Sequence, residues 1–323
     1  MSYNYSEYRK EKVVTTIITI LFIVGLIHLG ARISARKIQA TPSTYSFETL
    51  SKEPEGDEVF ITRDDGARIR AISKGNGQVV LLAHGYGSTL LQWNVVRSKL
   101  LEKGYRVIAF DLRGHGKSTI GGAGIDSTQF ATDYRAVIEY FNVEDGVLVG
   151  HSLGGFLAIV LALSQPQIAH EKLKGMVLLA STAGNIFKGS PQIRILNLLI
   201  RLGLAQRIIA SKTYGWLLGT SFFGTPIPAA IKVLQKMIPA QPHKQLIPIA
   251  NAMGAENYYS QLKNIKLPCV VICGKLDNTT PAWHSEKLGS KIPNARNIWL
   301  DGKGHMLNWE APEEIINAIQ SIK

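Results

Sequence analysis

The chain has 323 residues, 46% of them apolar, which suits one large α/β domain with additions and excludes a chain too polar to build a core. The charged fraction, 19%, is below the usual quarter and points to a membrane-linked or lid-bearing protein. A net charge of +12 admits nucleic acid, an anionic membrane or an acidic substrate as partner, and the placement of the charge has to decide among them.

Residues 1–12 form a basic flank. Val13 to Ala31 then contains no Lys, Arg, Asp or Glu. As a helix this stretch is about 28 Å long, close to the hydrocarbon thickness of a bilayer. A transmembrane helix is therefore predicted over 13–33, as an uncleaved anchor, with a cleaved signal peptide as the alternative. Three basic residues stand close on each side (Arg9, Lys10 and Lys12; Arg32, Arg36 and Lys37), so charge does not orient it. The reading adopted is a single-pass membrane protein with its bulk outside the cytoplasm. Residues 34–57 are expected to be a polar linker.

From Glu58 the chain alternates strand-like and helix-like segments. Strands are predicted at 58–63 and 67–73, joined by the turn Asp64-Asp65-Gly66. Strand 79–83, helix 89–103, strand 105–110, helix 128–141, strand 146–151, helix 153–164 and strand 175–180 follow. After a long gap come strand 269–274, helix 281–290, strand 295–300 and helix 310–322. Short apolar strands separated by helices imply an α/β fold with a mostly parallel, doubly wound sheet. Ligands of such sheets bind at the carboxyl ends of the strands.

Gly150-His151-Ser152-Leu153-Gly154 follows one strand and opens a helix, the G-x-S-x-G nucleophile elbow. The two glycines let backbone approach closely, and the sharp turn pushes Ser152 into the cleft at a helix N-terminus. His84-Gly85-Tyr86-Gly87 follows strand 79–83, where an oxyanion loop belongs; the expected donors are the backbone N–H groups of Tyr86 and Leu153. A serine hydroxyl needs a base, and the base an orienting acid. Of eight histidines, His305 alone stands between the last strand and the last helix. His151 should point away from substrate, and His84 and His115 belong to glycine-rich turns. Asp277, after strand 269–274, is the candidate acid, with a helix cap as its plain alternative. Asp301 is weaker, only four residues before His305, and Asp111 sits in a separate turn.

The stretch 58–323 resembles the α/β-hydrolase superfamily, in its serine-nucleophile branch of carboxylesterase-like or monoacylglycerol lipase-like members. His84-Gly85, Asp111-xx-Gly114-His115-Gly116-x-Ser118, the elbow, Asp277 and Gly304-His305 carry the resemblance. It implies an acyl-enzyme mechanism with Ser152, Asp277 and His305 as triad, and the chain order Ser, Asp, His is the one expected. Serine at 152 argues against the haloalkane dehalogenase and epoxide hydrolase branches. The resemblance also makes the insertion before strand 269–274 a helical lid, placed at 184–245 between core segments 58–183 and 246–323. No Asp or Glu occurs from Lys172 to Ala255, a span holding ten Lys or Arg. Such a basic, apolar lid suits an anionic lipid surface; the alternative is a cap packed on the core with solvated arginines.

The expected substrate is a small-molecule or lipid ester with an apolar acyl group of medium or long chain, met near a membrane. The same triad also serves C–C bond hydrolases, aminopeptidases, acyltransferases and cofactor-free peroxidases, and a non-catalytic scaffold is a further alternative. No cofactor is expected: no P-loop or dinucleotide fingerprint occurs, and His and Cys lack metal-ligand spacing. Nucleic acid is not expected either, since the basic residues interleave with Leu and Ile. Cys269 and Cys273, four apart on a strand, lie about 13 Å from each other, too far for a disulfide. Nothing in the sequence indicates the oligomeric state.

Overall fold

The computed structural model describes residues 5–322. Helix α1 (Tyr5–Gln39) is 35 residues long, or about 52 Å. It contains an 18-residue window of mean hydropathy 2.4, none of it buried. It is long and apolar enough to cross a membrane, as an anchor or a signal sequence is. The helix outruns the expected 13–33 at both ends, because Lys, Arg, Glu and Gln flanks are good helix formers.

The segment expected as a polar linker is folded. Ser46 caps a short helix, α2 (Phe47–Ser51), by accepting the Thr49 N–H, and Leu50 is fully buried. The Asn94 amide donates to the carbonyls of Thr49, Leu50 and Lys52. These bonds satisfy a backbone that composition alone assigns to solvent.

The core elements run β1 (Asp57–Thr62), β2 (Arg68–Lys74), β3 (Val79–Ala83), α3 (Asn94–Glu102), β4 (Arg106–Phe110), α4 (Ser127–Tyr140), β5 (Gly146–His151), α5 (Leu153–Ser164), α6 (Pro166–Lys172) and β6 (Leu173–Leu179). The insertion supplies α7 (Pro191–Arg201), α8 (Ala205–Ala210), α9 (Tyr214–Thr220), α10 (Pro228–Met237) and α11 (His243–Ala255). The core resumes with β7 (Cys269–Gly274), α12 (Trp283–Lys291), β8 (Ala295–Leu300), α13 (Leu307–Glu310) and α14 (Pro312–Gln320). The last helix is broken before Pro312, whose ring disfavours helix at Ala311. Helix α11 crosses the boundary expected at 245, and a bridge between Gly184 and Asn257 closes the neck of the insertion.

The eight strands order as β1-β2-β4-β3-β5-β6-β7-β8. β1 and β2 are antiparallel additions at one edge, and β3 to β8 are parallel. Side chains alternate across the sheet. Leu81 and Ala83 join the core under α4 and α5, whereas Val80 and Leu82 join the core under α3 and α14. The chain leaves β3 toward β4 on one side and returns to β5 on the other. That reversal opens a crevice at the carboxyl ends of β3 and β5.

Candidate active site

The two loops beside that crevice are His84–Ser88 after β3 and Ser152 after β5. Ser152 has φ 51° and ψ −113°, a conformation that costs a non-glycine residue about 1–3 kcal/mol. Its N–H donates to the Leu179 carbonyl at 2.9 Å. A Cβ at Gly154 would stand 2.3 Å from the Ala83 carbonyl oxygen, and one at Gly150 would stand 2.6 Å from Gly154 O. Both positions therefore require glycine, and β3, β5 and α5 can crowd together only because of it.

Opposite Ser152, His305 lies in the loop between β8 and α13 and is 5% exposed. Its Nδ1 is 2.8 Å from Asp277 Oδ2. Asp277 Oδ1 accepts the backbone N–H groups of Thr279 and Thr280 at 2.8 and 3.0 Å. The carboxylate thus caps its own turn with one oxygen and faces the imidazole with the other. Burial by itself would raise the Asp277 pKa; the facing His305, the Thr280 hydroxyl and the Thr280 amide outweigh it and hold the group below its ordinary value. Asp301 is exposed and pairs with Lys275 at 2.8 Å. Asp111 is buried and accepts the N–H groups of Leu90 and Lys117. Neither faces His305.

Ser152 and His305 line one cavity, but no hydrogen bond joins the Ser152 hydroxyl to the imidazole among the described residues. The backbone N–H groups of Tyr86 and Leu153 also lack partners among the described residues. His84 anchors the loop that carries Tyr86: its Nδ1–H donates to the Gly85 carbonyl at 2.8 Å and its Nε2 accepts the Leu112 N–H at 3.0 Å. This fixes a neutral tautomer, and burial drives the His84 pKa far down.

Three supports of the His305 loop were not visible in the sequence. His151, expected to point away, lines the cavity, and its Nε2–H donates to the His305 carbonyl at 2.9 Å. Burial, with the neighbouring His305 adding to it, lowers the His151 pKa to about 3, so the ring stays neutral. From the insertion, the Phe222 carbonyl accepts the N–H of His305 at 2.8 Å. Glu310 ties the same two loops by accepting the N–H groups of Gly224 at 2.8 Å and Gly304 at 3.0 Å. The insertion thus holds the backbone of the histidine loop. No local motif signals this.

The cavity measures about 120 Å³. Its walls are mainly apolar and come largely from the insertion, including Ile193, Leu196, Ile200, Phe222 and Ile238. The described residues contain no group of three or more His, Cys, Asp or Glu placed to hold a metal. Cys269 and Cys273 are free and buried, which pushes their thiols up to about 12 and about 11.

Residues 79–318 match the family model described as the alpha/beta hydrolase family. The non-heme haloperoxidase of Rhodococcus erythropolis is 28% identical over 263 residues, which are 76% of this chain and 92% of that protein. Among solved structures, an esterase from Exiguobacterium antarcticum covers 83% of this chain and 100% of its own, at 24% identity and a TM-score of 0.73. A bromoperoxidase from Bacillus anthracis covers 82% of this chain and 99% of its own, at 19% identity and a TM-score of 0.73.

Proposed function

The chain belongs to the alpha/beta hydrolase family, and on that premise we propose that it is a serine hydrolase cleaving carboxylic esters of apolar acyl groups, with Ser152 as nucleophile. One observation carries this reading: a strained serine at a strand-to-helix turn shares an apolar cavity with a buried imidazole held at 2.8 Å by a carboxylate. In the proposed cycle His305 Nε2 removes the Ser152 proton as Oγ attacks the ester carbonyl. Asp277 keeps the proton on Nδ1 and stabilises the imidazolium. The free N–H groups of Tyr86 and Leu153 receive the developing oxyanion, a contribution of about 3 kcal/mol per donor in such sites. The alcohol leaves with the proton from His305, and water then attacks the acyl-enzyme by the same route in reverse. The serine–histidine contact tightens as substrate enters, a common feature of such sites.

The size of the cavity bears on the acyl group. About 120 Å³ compares with cavities of roughly 150 Å³ that hold benzene. A cavity of this size favours a short or compact acyl group, and a longer chain requires α7 to move outward. Exposed Ile195 and Leu198 on that helix, with exposed Leu202 just after it, support a lid that meets an apolar phase. With α1 read as an uncleaved anchor, this supports action on lipid-like esters beside a membrane.

The test is labelling of the full chain with a fluorophosphonate probe, together with turnover of p-nitrophenyl esters from acetate to palmitate. Labelling lost in Ser152→Ala and turnover of at least one ester are expected. Labelling that persists in Ser152→Ala removes the serine assignment. The haloperoxidase relative favours a second reading, in which hydrogen peroxide replaces water and releases a peracid from the same acyl-enzyme. Peracid formed from acetate ester and peroxide, read by bromide oxidation, distinguishes it.

A further inference from the structure

Arg32 and Arg36 lie one turn apart on α1, just after its charge-free run Val13–Ala31. Lys232 and Lys236 lie one turn apart on α10. Residues four apart share a helix face, so each pair repels itself. The fold nevertheless brings both pairs, with Lys212, to the walls of one open groove of about 760 Å³ between α1 and the lid. Ala35, Trp216 and Pro228 add apolar lining.

No carboxylate balances these charges. The sequence has no Asp or Glu from Lys12 to Phe47 or from Leu173 to Ala255. None of the five cations forms an ion pair among the described residues. The groove is also held in shape. His28 Nδ1 lies 2.9 Å from the Tyr214 hydroxyl, and Gln39 Nε2 donates to the Lys212 carbonyl at 3.4 Å. The Lys232 and Lys236 ammonium groups sit 4.7 and 4.6 Å from the centre of the Phe47 ring on α2. Anchor, α2 and lid therefore gather five like charges around one space.

Depth selects the ligand. The apolar run of α1 is about as long as the hydrocarbon core is thick, so the residues after it lie at the level of the lipid phosphates. We propose that this groove binds the phosphate of an anionic phospholipid headgroup and so seats the lid on the leaflet that α1 enters. The inference rests on reading α1 as an uncleaved anchor. The bound phosphate supplies the missing negative charge, and Trp216 and Pro228 lie beside the glycerol and upper acyl chain.

The test uses the full chain in mild detergent, with bound lipid counted by native mass spectrometry. Phosphatidylglycerol, phosphatidylcholine, inorganic phosphate and glycerol 3-phosphate are titrated separately. Phosphatidylglycerol is expected to bind at least tenfold more tightly than the other three. A basic residue at an anionic surface is worth about fivefold in affinity, so Lys212→Gln with Lys236→Gln is expected to weaken phosphatidylglycerol roughly 30-fold. Lys212→Arg with Lys236→Arg keeps the binding, and the charge-matched control Lys263→Gln with Lys291→Gln leaves it unchanged. Equal binding of phosphatidylcholine by the unmodified chain overturns the inference without any variant. So does free phosphate binding as tightly as phosphatidylglycerol, or a glutamine pair that binds like the parent. Flotation with phosphatidylcholine vesicles reads the anchor separately. A chain that floats but does not discriminate headgroups loses the groove and keeps the anchor; a chain that floats with no vesicle loses both.

Discussion

Replacing Asp277 by Asn tests the orientation of His305 with little change of shape. Oδ1 already accepts two backbone N–H groups, from Thr279 and Thr280, so the amide oxygen of Asn stays there. The amide nitrogen then takes the Oδ2 position, 2.8 Å from His305 Nδ1 and 2.7 Å from Thr280 Oγ1. Thr280 adapts, because its hydroxyl can accept from that nitrogen and donate to the Ala180 carbonyl at 2.9 Å. In the proposed mechanism His305 cannot adapt without losing function. Facing a donor, Nδ1 must accept, the proton moves to Nε2, and the nitrogen needed to receive the serine proton is blocked. A wrong tautomer in such a triad costs about 10⁴ in kcat, or about 5.5 kcal/mol. The expected result is a fall of that order in kcat for a p-nitrophenyl ester, with a thermal unfolding midpoint within a few degrees of the parent at pH 7. The acid side carries a second sign. Because the folded-state pKa of Asp277 is depressed, its contribution to stability is present above the unfolded value of about 3.9 and is lost as pH falls through the lower folded value. The Asn variant should lack that portion of the acid loss. An Asn variant that keeps more than a tenth of parental kcat while folded would refute the assignment of Asp277.

Gly154→Ala places a Cβ 2.3 Å from the Ala83 carbonyl, inside the contact between β3 and α5. A loss of about 3 kcal/mol is expected in urea unfolding, and a loss below 1 kcal/mol would mean the elbow relaxes. Burial lowers the pKa of His115 to about 4 and of His151 and His284 to about 3, and places His84 far below its ordinary value. The unfolded chain protonates these rings below about pH 6.5 while the folded chain does not. Stability is therefore expected to fall as pH drops from about 6.5 toward 4, by up to about 1.4 kcal/mol per unit for each ring; urea midpoints that are flat over this range contradict the buried neutral rings. Cys269 and Cys273, with thiols pushed up to about 12 and about 11, should resist iodoacetamide at pH 8 in the native chain. Both should react in urea, and rapid native modification would mean that β7 is open to solvent.

The sheet and the elbow were legible because their signals are local. Strand 146–151 and helix 153–164 begin and end where periodicity and turn chemistry place them, and Gly150 and Gly154 mark a close approach that any chain making this turn requires. Residue order along the chain also restricted the candidate acid to a few aspartates, since strand-end loops are the places where a parallel sheet exposes side chains. Choosing among them needed distances. Asp301 and Asp277 both follow strands, yet one is a surface ion pair and the other lies 2.8 Å from the imidazole. The supports of His305 were beyond local reading, because Phe222 acts through a backbone carbonyl that any residue type carries, and the Glu310 carboxylate reaches backbone N–H groups of a loop 86 residues away in the chain as well as of its own. The same holds for residues 34–57, whose polar composition suits a tether but whose Leu50 fills a niche built by the lid and α13. Composition reports how much apolar surface a segment carries. Only tertiary contact decides what covers it, and here that decision set the cavity walls, the hold on His305 and the gathering of five cations where the N-terminal helix meets the lid.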